Sequence, residues 1–309
     1  MDFSGLFIKM VIFVILMLTG YFFARKGYAG PEFTKTASKL VINVFMAASI
    51  INSVLTISPD MVEVNFGVIL AVLTISMVSG FLLAFLAGTF IPVVKKGGGV
   101  FMLLMSTPNI MFIALPVLDQ LFGSIAVFYC SLACIPFYVT LFTFGIWMLK
   151  RGTGESKIRI KDILSVPFIC TIIAALIFFI QPPIPRVASE LIKSIAGATM
   201  PMSMIVIGTS LGTVNLLDTF KTAKFYFITF FKLIFIPAVV WLLCSFLTTD
   251  PVLLISAVVL AACPTAVTVS ILSIQYTGEG RTASEAILHG TVFSMIIIPL
   301  WVMLLNAVL

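Results

Sequence analysis

The sequence predicts an all-α polytopic membrane protein: ten transmembrane helices in a 5+5 inverted repeat, with two broken, crossed helices at spans 4 and 9. Three observations carry this. The chain is 61% hydrophobic and 10% charged, with mean hydropathy +1.22, whereas a soluble domain carries about 25% charged residues. Its apolar residues fall into ten stretches separated by short polar loops. Two of those stretches are interrupted at matching places, by Pro108-Asn109 and by Pro264-Thr265.

The ten spans cover about 5–24, 37–57, 66–94, 99–121, 124–149, 163–181, 188–212, 222–247, 251–275 and 283–306. Span 1 lacks a positive leading segment and is followed by Arg25-Lys26, so it reads as a retained span rather than a cleaved signal. Span 2 carries Asn43 and Asn52, and span 7 the small-residue run "GATMPMSMIVIGTSLG". Both suit helix packing, and the two asparagines could also line a substrate cavity. Span 3 ends at Lys95-Lys96, and "KKGGGV" (95–100) lacks the order of a phosphate loop and reads as a short turn. Spans 4 and 9 hold the breaks. Spans 5 and 10 end alike, in "GIWML" and "LWVML". Span 8 carries Lys232 about ten residues in, too deep to reach an interface easily. Near the start of span 10, Glu285 and His289 stand four apart on one face. They read first as an inner-mouth pair beside Arg281, with a proton relay as the alternative.

Charge gives the orientation. Fourteen of the Lys and Arg residues, from Arg25 to Arg281, fall in the loops after odd-numbered spans, and the opposite loops hold essentially Arg186. Both termini then face outward, in a cell membrane. The pI near 9.1 reflects these loops, not a nucleic-acid surface. The hydrophilic stretch 150–162 is a cytoplasmic linker dividing a first repeat, 1–149, from a second, 163–309. Five spans per half invert the second relative to the first. A shift of 154 sets residues 38–49 against 192–203, and a shift of 156 sets Pro108 against Pro264 and Asn109 against Thr265.

Proline inside a helix removes an N–H and clashes with the carbonyl four residues back. Pro108 lies about 14 Å into span 4 and Pro264 about 20 Å into span 9, so both breaks sit near the midplane. Singly each could be a plain kink, the reading given to Pro116, Pro136, Pro167 and Pro237. As a matched pair they point to a transporter site, where half-helix N-termini favour an anion. Pro108, Asn109, Pro264 and Thr265 are its candidate binding residues. Lys232 either adds positive charge or pairs with carbonyls freed by the breaks. No catalytic constellation, cofactor motif or metal-ligand spacing emerges, and the five cysteines read as buried apolar side chains. The chain reads as a transporter and not an enzyme.

"STPNIMFIALPVLDQLFG", "AACPTAVTVSILSIQY", "ASEAILHGTVFSMIIIPLWVMLL" and "FFKLIFIPAVV" resemble spans of the auxin efflux carrier family, and the likeness covers nearly the whole chain. The resemblance implies the fold shared with bile-acid symporters. A scaffold of spans 1, 2, 6 and 7 would support a transport domain of spans 3–5 and 8–10 that moves as an elevator, often in a homodimer. It implies a carboxylate substrate such as malate, malonate or an indole acid, with a proton or sodium ion as coupling partner. Thr265 departs from the family's amide, and an acidic pair for sodium is missing near the breaks. The alternatives are a sodium- or proton-coupled symporter of bile-acid-type substrates and a non-transporting membrane sensor.

Overall fold

A computed structural model describes residues 3–55, 62, 64–150, 166–212, 219–266 and 268–309, and these are almost wholly helical. The helices are α1 (Phe3–Arg25), α2 (Pro31–Leu55), α3 (Phe66–Phe90), α4 (Pro92–Ser106), α5 (Ile110–Phe122), α6 (Ser124–Leu149), α7 (Val166–Ile180), α8 (Arg186–Gly197), α9 (Thr199–Gly212), α10 (Ala223–Ser245), α11 (Pro251–Ala262), α12 (Thr268–Thr277) and α13 (Gly280–Val308). Among the described residues, six helices are long and apolar enough to cross a membrane: α2, α3, α6, Arg186–Thr209, α10 and Thr282–Val308. Four shorter apolar helices among the described residues are Val11–Arg25, α5, Ile169–Ile180 and α11. The protein is a multi-pass membrane protein.

Boundaries differ from the sequence expectation where polar turns extend a helix. Span 2 starts six residues early, at Pro31, which takes the first helical position with Glu32 beside it. Span 7 is divided between Gly197 and Thr199. Within "KKGGGV" the chain kinks at Gly98, whose φ of 61° suits glycine. The expected linker 150–162 lies, apart from Lys150, outside the described residues.

The chain separates into two compact units. The first comprises Met1–Ile69, Met111–Ile135 and Leu164–Val214; the second comprises Leu70–Ile110, Pro136–Ile163 and Asn215–Leu309. Each therefore draws on both halves of the sequence.

In the first unit α1 and α9 touch backbone to backbone. A side-chain carbon on Gly20 would lie 2.1 Å from the Ile205 carbonyl oxygen, and one on Gly208 would lie 1.9 Å from that of Met17. Small residues are the usual means of such an approach between apolar helices. In the second unit α3 is held to α11 by Ser76, whose hydroxyl donates to the Ala257 carbonyl at 2.8 Å. Asp250 caps α11, accepting the Leu253 N–H at 2.6 Å ahead of Pro251 at the first helical position.

Among the described residues, four helices contain a π segment: Val41–Met46, Ile110–Ala114, Leu141–Gly145 and Phe231–Phe235. Two of them end just ahead of a proline, Pro116 and Pro237. Pro237 cannot donate to the Leu233 carbonyl four residues back, and the Trp301 indole N–H donates to it instead at 2.8 Å. The Thr199 hydroxyl donates to the Phe45 carbonyl in the first π segment, also at 2.8 Å. Bilayer hydrocarbon offers no such partners, so side chains of the protein supply them.

Gly208→Ala is expected to lower stability by about 1–3 kcal/mol, seen as a lower melting temperature in detergent. Gly197→Ala, at a position with no atom within 4 Å of the added carbon, serves as control and leaves it unchanged or raised.

Candidate functional site

The two breaks meet. Residue 107, preceding a proline, is disfavoured in the helical region, and Thr107 closes α4 with φ −90° and ψ 106°. Cys263, before Pro264, closes α11 with φ −65° and ψ 141°. The two extended stretches run antiparallel, with Pro108 opposite Thr265. Asn109 N–H donates to the Pro264 carbonyl at 2.8 Å, and Ala266 N–H donates to the Thr107 carbonyl at 3.2 Å. This is the antiparallel pairing in which the directly opposed residues exchange no hydrogen bond and their neighbours do. It asks nothing of an N–H at position 108 or 264, where proline has none.

The ends of the first half-helices are also satisfied from across the crossing. The Thr265 hydroxyl donates to the Leu104 carbonyl near the end of α4. Lys232, 2% exposed in the π segment of α10, donates from Nζ to the Ala261 carbonyl near the end of α11 at 3.0 Å. A cation at a helix C-terminus also meets the negative end of its dipole. Lys232 thus makes the contact with a freed carbonyl that was one of its two readings, and an ammonium has three protons to give.

Beyond each break a second half-helix begins, α5 at Ile110 and α12 at Thr268. Their opening turns carry N–H groups that have no intrahelical acceptor by construction. Pro108, Asn109, Pro264 and Thr265 are all buried. The second unit holds the positive end of α12 and one ammonium, with no carboxylate on α4, α10, α11 or α12. Chemically it suits a small anion. Among the described residues no three His, Cys, Asp or Glu side chains come together as metal ligands would.

The remaining candidates lie elsewhere. Asn43 is exposed and Asn52 half-buried on α2, in the first unit. His289 and Glu285 lie on α13 in the second unit, His289 fully buried and Glu285 half-buried. The His289 Nδ1 sits 2.7 Å from the Thr229 hydroxyl, inside the second unit. Sequence reading missed Thr229, sixty positions away, and Thr107, whose buried hydroxyl beside the first break has no hydrogen-bond partner among the described residues. Thr107 could have been found as the residue obliged to leave the helix before Pro108; nothing in the sequence signals Thr229.

A sequence model of the family described as "Membrane transport protein" matches residues 6–302. The "Uncharacterized transporter YfdV" of Escherichia coli (strain K12) is 21% identical over 299 residues, 94% of either chain. The protein of the same name from Shigella flexneri matches with the same figures.

Thr265→Val, which keeps the shape but removes the proton given to Leu104, is expected to cost about 1–3 kcal/mol through the carbonyl left unpaired. Thr265→Ser should recover most of that loss, with thermal unfolding in detergent as the measurement.

Proposed function

We propose, for a chain that belongs to the membrane transport protein family, the auxin efflux carriers and their relatives, secondary transport of a small organic anion by alternating access. The substrate class is a carboxylate such as malate, malonate or an indole acid. The observation that carries this reading is the meeting of the two breaks with Lys232 beside one of them. The backbone groups released by the breaks are largely paired with each other. A ligand would meet the positive potential of the opening turn of α12, the unused protons of Lys232 and, in exchange for its present contact, the Asn109 side chain. The Thr265 hydroxyl, its proton given to Leu104, would contribute the placement of the crossing.

The inverted repeat belongs to the same reading. Positions matched by the 154-residue shift include Phe45 and Thr199, which share a hydrogen bond. The dipeptides matched by the 156-residue shift pair with each other, each proline opposite the polar residue of the other. Contacts between equivalent positions are what a two-fold axis in the membrane plane produces. Ten crossings, both termini outside and an elevator-type movement complete the proposal.

Uptake of labelled dicarboxylates into proteoliposomes tests it. Wild type should show saturable uptake. Asn109→Ala and Lys232→Met should each lower it by about tenfold or more, the loss of a charge-assisted hydrogen bond. Uptake that survives both substitutions in folded protein moves the anion site away from the crossing.

A further inference from the structure

His289 is the one histidine of the chain, and the anion site makes no use of it. Its Nδ1 is held by Thr229 at 2.7 Å. Its Nε2 is buried with no hydrogen-bond partner among the described residues. Four rings stand around the imidazole: Tyr226 at 4.5 Å, Phe293 at 4.8 Å, Phe220 at 5.5 Å and Phe225 at 6.2 Å between centroids. Neither tautomer satisfies the ring. If Nδ1–H donates to Thr229, Nε2 keeps a bare lone pair; if Thr229 donates, Nε2–H has no acceptor.

The surroundings select the missing ligand. Aromatic faces carry partial negative charge and attract cations. A metal ion would need further ligands, and no such group of side chains occurs among the described residues. A proton needs the lone pair alone. The site also connects to the crossing. At Gly290, the next residue, an added side-chain carbon would lie 3.8 Å from Pro264 Cβ and 3.9 Å from the Thr229 hydroxyl. The helix turn that carries His289 therefore packs close to the segment that pairs with the first break.

We infer that His289 is a proton-binding site of the transport cycle, so that anion movement is coupled to a proton; this rests on the transport reading above. The proton adds to Nε2 of the tautomer whose Nδ1–H donates to Thr229, giving an imidazolium with no bond broken. The charged and titratable groups on the helices around it are few. The Lys224 ammonium of α10 lies over the Phe101 and Phe225 rings, at 5.2 and 5.7 Å. Lys232 of α10 is bonded to Ala261, and the Tyr226 hydroxyl donates to the Phe220 carbonyl. The sequence of α4 contributes Lys95 and Lys96, that of α12 Tyr276, and that of α11 none. On α13 itself stand Arg281 and, one turn before His289, Glu285, the single carboxylate in these five helices. The lysine ammonium groups oppose the proton, and the Glu285 carboxylate favours it.

The test uses proteoliposomes with the potential clamped at zero, labelled malonate, and an inward proton gradient of about one pH unit, which for one proton per anion sustains a tenfold accumulation. Wild type should accumulate malonate about tenfold, and His289→Gln should only equilibrate it, its malonate exchange certifying a folded protein. Wild type indifferent to the gradient, or a folded variant that still accumulates, overturns the inference. Should His289→Gln not fold, Thr229→Val takes its place and should shift the pH dependence of uptake; an unchanged profile counts against the site. Should wild type exchange no malonate, the transport reading for that substrate is what fails. The proton site is then judged by nitrogen NMR of histidine-labelled protein, where the single histidine gives an unambiguous signal. Uptake of a proton between about pH 8 and about pH 5 supports it, and a neutral ring throughout overturns it.

Discussion

Two hydrogen bonds, from Asn109 N–H to the Pro264 carbonyl and from Ala266 N–H to the Thr107 carbonyl, allow two helices to be interrupted where hydrocarbon offers no partner. An unpaired backbone group in that setting costs several kcal/mol, so one broken helix alone would be a poor structure. Two breaks facing each other are a good one, because what one chain releases the other accepts. The register is chosen by proline chemistry. The pairing places bond-making N–H groups at 109 and 266, and none at 108 or 264 where proline would withhold them.

The same rule recurs wherever a helix in this protein departs from regularity. Pro237 frees the Leu233 carbonyl and Trp301 takes it. Thr199 serves the π segment of α2. At the crossing, Thr265 and Lys232 serve the ends of α4 and α11. In the transport reading proposed above, the buried ammonium that satisfies one carbonyl also supplies positive charge for an anion to meet.

Much of this was legible in advance because its signals are local. Proline breaks helices whatever surrounds it, and a lysine ten residues into an apolar span needs a partner. The matching of Pro108 with Pro264 was visible as a shift along the chain. What was not legible was who answers each unpaired group. Thr265 read as a binding residue, and its hydroxyl proton goes to Leu104. His289 read first as a mouth residue, by its distance along the helix, and Thr229 and four rings enclose it. Partners so far apart along the chain leave no mark on either one's neighbours.

The sequence by itself determined that the chain lives in a membrane and where two of its helices must stop, because hydropathy and proline sterics act within a few residues. The tertiary structure alone decided that the two stops face each other in antiparallel register, that Lys232 reaches Ala261, and that His289 keeps one ring nitrogen without a partner. Those are facts of packing. They depend on which helix lies against which, and a bilayer, which gives neither water nor ions to an unpaired group, leaves the neighbouring helix as the one source of an answer.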